Sequence, residues 1–194
     1  MRTGCFLVAI VMLAAACSPS AKSDVDPACF NRSSEQIGGP FKLTAHTGAT
    51  VTQEDFKGRK SLVFFGFTHC PDVCPTTLAD MAQVMRQLGA DADRVQVLFV
   101  TVDPERDTQE ALAQYVPAFD ARFLGLRGDL EATRRVAKEF KVYFEKRPGA
   151  TPGAYSVDHS AQTYVLDPQG RLRLFVRHGR IAEDLAPDLR VLLK

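Results

Sequence analysis

Residues 60–77 read KSLVFFGFTHCPDVCPTT. Leu62 to Phe65 form an apolar run rich in β-branched and aromatic side chains, bounded by charge on one side and Gly66 on the other. Such a run suits a central strand buried on both faces. Cys70 and Cys74 follow at its exit, with three residues between them, each trailed by a proline. Pro75 fits the first position of a helix, where its missing N–H costs nothing. Leu78, Met81, Ala82, Met85 and Leu88 then recur at helical spacing, and Gly89 closes the segment. The two thiols therefore sit where a buried strand hands over to its helix.

The same reading extends outward in both directions. PFKLTAHTGATVTQEDF, residues 40–56, reads as a hairpin turning at Thr47 and Gly48. RVQVLFVTV, residues 94–102, is a second buried strand. Asp107 with Glu110 three residues on reads as a capping box opening a helix. Residues 129–140 look helical, and KVYF, residues 141–144, reads as a short strand. EKRPGATPGAYSVD, residues 145–158, carries two prolines and two glycines and reads as a long flexible loop. AQTYVLD-PQG-RLRLFV, residues 161–176, is a hairpin turning at Asp167-Pro168-Gln169-Gly170, and Ile181 to Leu193 is a last amphipathic helix. Parallel strands joined by helices, closing on an antiparallel hairpin, predict a three-layer α/β sandwich with an N-terminal β-hairpin. In open α/β sheets ligands bind beyond the C-terminal ends of strands, where the dithiol lies.

The N-terminus reads as an address. Arg2 is followed by an apolar stretch, Phe6 to Leu13, then Ala14, Ala15 and Ala16 before Cys17. Roughly a dozen apolar residues are too few to cross a bilayer of about 30 Å as a helix. They fit a secretory signal, residues 1–16, ending in small residues. A cysteine directly after them resembles a bacterial lipobox, so Cys17 is the expected lipidation site, although Leu13 stands one place early. The expected location is the periplasmic side of a bacterial membrane, held by a lipid anchor. Residues 17–36 are polar and aperiodic and read as a tether, leaving residues 37–194 as one domain. Cys5 falls in the signal. Cys29 sits in the polar tether and reads as a spectator thiol, with a resolving or intermolecular disulfide role as the sharper alternative. A formal net charge of +1 and the lack of a long basic run argue against a nucleic-acid partner.

A thiolate at a helix N-terminus is stabilised by the partial positive charge there, which lowers its pKa. Cys70 and Cys74 are therefore expected to be reactive or metal-binding. The third candidate is His159, in SVDHSA at the end of the Pro/Gly-rich loop. The α/β layout can bring the strand that follows it beside the Cys loop. Two thiolates and an imidazole form a soft set of low coordination. Thiolate favours Cu(I), imidazole also accepts Cu(II), and zinc would want a fourth ligand. No further Cys or His lies at a helpful spacing unless His69 or Cys29 is recruited; His69 precedes Cys70 and is expected to point away, and His46 and His178 look like exposed turn residues.

FFGFTHCPDVCPTTL, VTVDPERDT and YSVDHSAQTYVLDPQGRL together resemble the SCO/SenC copper-chaperone family. The resemblance runs from about Ile37 to the C-terminus, with three separated motifs in order. It implies a thioredoxin-like fold with a central mixed sheet. It also implies a domain that takes one copper ion and helps build the binuclear copper centre of cytochrome c oxidase. Carried over by motif, Cys70 and Cys74 are the sulfur ligands, and also a redox-active pair, and His159 is the nitrogen ligand. Asp103 matches an acidic residue that the family places near the site. The implied partners are the copper-accepting subunit of the oxidase, a thiol reductant or another copper carrier, and the membrane. Thr77 replaces an acidic residue common after CPT, and Gln109 stands where proline is usual. A thiol–disulfide oxidoreductase of the thioredoxin type is the alternative. Against it, its usual motif has two residues between the cysteines and its cis-proline position here offers DHSA. A peroxiredoxin-like site would need Thr or Ser at Pro71 and Pro at Phe67.

Overall fold

The computed structural model describes residues 37–194. Cys5, Cys17 and Cys29, with the expected signal and tether, lie outside the described residues. The elements in chain order are β1 (Lys42–Ala45), β2 (Thr50–Thr52), β3 (Lys60–Gly66), α1 (Val73–Leu88), β4 (Val95–Thr101), α2 (Gln109–Tyr115), β5 (Leu124–Arg127), α3 (Leu130–Glu139), β6 (Phe144–Pro148), β7 (Tyr155–His159), β8 (Thr163–Leu166), β9 (Leu172–Val176) and α4 (Ala186–Leu192). A π-helical turn, Ile181–Leu185, leads into α4.

Seven strands form one mixed sheet in the order β2-β1-β5-β4-β3-β8-β9, and β6 and β7 form a separate antiparallel pair. β3 runs parallel to β4, and β4 to β5, while β8 returns antiparallel against β3. All seven residues of β3 are buried, as expected of a central strand. Successive side chains point to opposite faces. Phe64 therefore meets Phe99 on one side, while Phe65 meets Phe140 and Tyr164 on the other. α1 approaches the first face, where Gly66 abuts Cys74, and α2 covers Gly125 there with Leu112 and Val116. Phe140, the residue capping α3, packs on the second face. Helices thus lie on both faces of a mixed sheet, the architecture the sequence predicts.

Five local readings are corrected. α1 begins at Val73, two residues before Pro75, which lies inside the first turn where its lack of an N–H is still harmless. α2 is capped by Thr108, whose hydroxyl accepts the Ala111 N–H; Asp107 is a fully buried acceptor elsewhere. β5 is an additional strand, short and interrupted by Gly125, with too little periodicity to announce itself. Lys141 takes a left-handed φ of 56° as the chain leaves α3, so the strand expected at 141–144 starts only at Phe144.

The fifth correction concerns residues 145–158. The expected loop is mostly the β6–β7 hairpin, paired from Phe144↔His159 to Pro148↔Tyr155. Its sequence hides the strands because four of the five β6 residues are exposed, so no hydrophobic alternation marks it. The prolines and glycines lie in or beside the tip, where Gly149 donates to Ala154 O and Gly153 adopts a φ of +82°.

Candidate functional site

The site begins where β3 ends. Gly66 is the last residue of the strand, and its carbonyl accepts the Val102 N–H from the chain leaving β4. The chain then turns, with Cys70 N–H donating to Phe67 O, and enters α1. Phe67 is buried under this turn. A side chain at Gly66 would sit 2.8 Å from Cys74 Sγ and 2.8 Å from the Phe99 ring. The glycine is therefore what allows the helix to set Cys74 directly on the sheet.

The two thiols are unbonded and unequal. Cys70 is partly exposed and Cys74 is fully buried. The Cys74 N–H, one of the unpaired donors of the first helical turn, points to Cys70 Sγ at 3.4 Å. The Cys74 thiol donates to Cys70, the N–H groups of Asp72 and Cys74 add to it, and His159 lies close. Together they hold the Cys70 pKa down to about 5. Donation to that thiolate, followed by burial, pushes the Cys74 thiol well above the usual range. Of the two thiols at this helix start, the negative charge thus falls on Cys70. Cys74 keeps the proton because it has no access to water and a neighbouring thiolate to share it with.

His159 closes the site from another element, at the end of β7. Its Nε2 stands 3.5 Å from Cys74 Sγ. Its Nδ1 lies 3.0 Å from the Ser160 carbonyl, which can only accept, so Nδ1 carries a hydrogen and Nε2 is the nitrogen turned toward the sulfurs. Phe64 and Phe67 meet the imidazole edge-on and give it an apolar wall. The ligand atoms of Cys70, Cys74 and His159 all lie within 4.8 Å of one another. Two sulfurs and a nitrogen converging at that range suit a soft monovalent ion of low coordination number.

The remaining histidines stand apart from this group. His69 is exposed and rests against Thr68 Oγ1 at 3.1 Å. His46 is half-buried rather than exposed, with Nδ1 accepting the Gly125 N–H. His178 is exposed, 3.0 Å from Thr77 Oγ1.

Asp103 is fully buried and lies outside the group of three ligands. Its carboxylate accepts from Arg106 Nε and, at 2.9 Å, from the Tyr155 hydroxyl on the strand that carries His159. Asp107 supports the other half of the site. Its carboxylate accepts from the Thr68 N–H and hydroxyl, just before Cys70, and from the Thr101 hydroxyl at the end of β4. Burial pushes its pKa up. Sequence reading missed Gly66, Arg106, Asp107 and Tyr155. The VDPERDT motif contains two of these, Arg106 and Asp107, but the helix-cap reading absorbed Asp107.

The family description SCO1/SenC matches residues 31–194. A Bos taurus protein named SCO2 homolog, mitochondrial, is 43% identical over 154 residues, covering 78% of this chain and 58% of that protein. A human SCO1 homolog, mitochondrial, is 40% identical over 79% of this chain and 53% of its own length. The chain thus spans under two thirds of these relatives. Bradyrhizobium japonicum ScoI, solved with copper bound, superposes with a TM-score of 0.74 at 43% identity, covering 80% of this chain and 98% of that one. Yeast Sco1 with copper bound gives 0.74 at 32% identity, covering 80% and 87%.

Proposed function

This chain belongs to the SCO1/SenC family, and from that premise we propose that it is a copper-binding metallochaperone whose cargo is held by Cys70 Sγ, Cys74 Sγ and His159 Nε2. The observation that carries this reading is the convergence of those three atoms within 4.8 Å. One ion per domain fits, since no other such group of three occurs among the described residues. Cu(I) suits the two sulfurs, and the imidazole extends the set to Cu(II). In an oxidising compartment Cys70 and Cys74 join as a disulfide; two electrons and two protons from a thiol reductant reopen it. Copper then displaces the proton that the two sulfurs share. His159, with Nε2 toward them, completes the set.

The recipient in this reading is the copper-accepting subunit of cytochrome c oxidase, reached by stepwise exchange of thiol and imidazole ligands. Residues 1–16 serve as the signal, Cys17 carries the lipid and residues 17–36 set the reach from the membrane on its periplasmic side. The apolar run before Ala14-Ala15-Ala16-Cys17 supports that placement. Asp103 acts behind the ligands, through the strand that carries His159.

The test is an anaerobic Cu(I) titration of the reduced full-length protein against a coloured chelator, beside Cys74→Ser and His159→Ala. Tight one-to-one binding that both substitutions weaken is the expected result. Weak binding without stoichiometry, or binding indifferent to His159→Ala, would overturn the three-ligand site.

One observation favours a second reading, a thiol–disulfide oxidoreductase. Cys70 is a half-exposed thiolate at the rim with a protonated Cys74 beneath it. Cys70 would attack a substrate disulfide and expel one thiolate. Cys74 would then lose its proton, attack the Cys70 sulfur and expel the other. A pKa of about 5 makes Cys70 a better leaving group than attacker, which places this reading second. Turnover of a partner's disulfide with added reductant decides it.

A further inference from the structure

The VDPERDT segment grips both halves of the site from one short stretch of backbone. Through Asp107 it holds Thr68 in the loop that carries Cys70. Through Asp103, Glu105 and Arg106 it holds the β6–β7 hairpin. Arg106 lies with its guanidinium 3.7 Å from the centre of the Tyr155 ring and 5.8 Å from that of Phe67. Its Nη1 donates to the Tyr155 carbonyl at 2.9 Å and its Nε to the Asp103 carboxylate. Asp103 in turn accepts from the Tyr155 hydroxyl. Glu105 pairs with Lys146 at 2.6 Å, and that ammonium lies 4.6 Å from the other neighbour, the Tyr155 ring.

Tyr155, Val157 and His159 share one face of β7, because side chains alternate along a strand. The burial pattern agrees, with Ser156 and Asp158 exposed and Val157 buried. The hairpin is not part of the seven-stranded sheet. What fastens its far end to the body is this cluster around Tyr155, about 13 Å along the strand from His159. Phe67, which the guanidinium also touches, forms one wall against the imidazole. Position of the strand and position of the imidazole are thus set by the same arginine.

We propose that Arg106, with Asp103, latches the His159-bearing strand onto the body of the domain, and that opening this latch is what frees His159 when copper leaves. Arg106 is a positioning residue, since it touches neither sulfur nor the imidazole. The release half rests on the copper reading above; the latch half does not.

The experiment is amide hydrogen–deuterium exchange on the reduced, metal-free, full-length protein and on Arg106→Met, Arg106→Lys and Tyr155→Phe. In Arg106→Met the amides of residues 144–159 are expected to exchange at least tenfold faster, with the β3 and β4 ladders unchanged. Lysine is expected to restore part of the protection, because an ammonium can still lie over the Tyr155 ring and reach one acceptor. Equal hairpin protection in wild type and Arg106→Met overturns the latch. If Arg106→Met loses the β3 and β4 protection as well, Tyr155→Phe decides, since it deletes only the hydroxyl: unchanged hairpin exchange overturns the proposal. With Cu(I) loaded, Arg106→Met is expected to release copper to a chelator at least tenfold faster. A loosened hairpin with unchanged release overturns the release half. Failure of the wild-type protein to take up Cu(I) removes the copper reading and the release step together, while the exchange result still decides the latch.

Discussion

His159 Nε2 stands 3.5 Å from Cys74 Sγ across 85 positions of chain. One comes from the end of an outlying hairpin and the other from the first turn of the helix that follows the central strand. The imidazole is aimed toward the sulfurs through its Ser160 contact. A site organised in this way loses little freedom on binding.

The inequality of the two thiols is readable in their chemistry. The lowered pKa of Cys70 keeps it a thiolate down to about pH 5 and protonates it only below that. Of the two site thiols, alkylation by iodoacetamide is therefore expected at Cys70, half-maximal near pH 5 and flat from pH 7 upward, with buried Cys74 spared. Peptide mapping of the labelled protein checks this. A midpoint near 9, or equal labelling of both, would contradict the shared-proton arrangement.

Gly66→Ala tests the close seating of Cys74. The added methyl would come within 2.8 Å of both Cys74 Sγ and the Phe99 ring, both of them fully buried. Overpacking of this kind costs about 1–3 kcal/mol, seen as a lower urea midpoint. Because the displaced atom is a sulfur of the site, Cu(I) affinity should fall as well. Unchanged affinity would show that Cys74 can shift without consequence.

Phe65→Ala should destabilise by about 3–5 kcal/mol. The ring is fully buried between Phe140 and Tyr164 on the face of the sheet away from Cys74. Denaturant unfolding measures the loss. Under conditions where the variant stays folded, labelling of Cys70 should keep its wild-type pH profile.

Asp129→Ala removes the cap of α3, where the carboxylate accepts the Ala132 N–H at 2.7 Å. The expected cost is about 1 kcal/mol. Circular dichroism through thermal unfolding should show the shift, and copper binding should not change, since α3 contributes none of the site residues. A change in affinity would point to coupling that the contacts do not reveal.

Much of the architecture was legible because its signals are short-range. β3 and β4 announce themselves as unbroken apolar runs, and Gly89 ends α1 with a φ of 59° that other residues avoid. The turn at Asp167–Gly170 closes as its residue types demand, with Gly170 N–H donating to Asp167 O. β5, β6 and β7 were not legible. β5 is short and interrupted by Gly125, and β6 is almost wholly exposed, so neither shows alternation. β7 does alternate, Tyr155, Val157 and His159 against Ser156 and Asp158, but it stands in a stretch rich in proline and glycine that reads as loop. Asp107 was misread because a carboxylate two residues before a helix, with Glu110 three residues on, looks like a cap. Its partners, Thr68 and Thr101, are visible only once β3 and β4 lie side by side.

The central strand, the helix after it and the placing of two thiols at their junction can be read from the residues alone. All three follow from periodicity and backbone preference within about twenty residues. Tertiary structure decided what those thiols are. Burial of Cys74 and exposure of Cys70 gave one the proton and the other the charge, although both sit at the same helix start. It also decided that His159 meets them and that Arg106 and Asp103 grip its strand, because contacts between distant segments depend on how the sheet and the hairpin are stacked, which no local window of residues encodes.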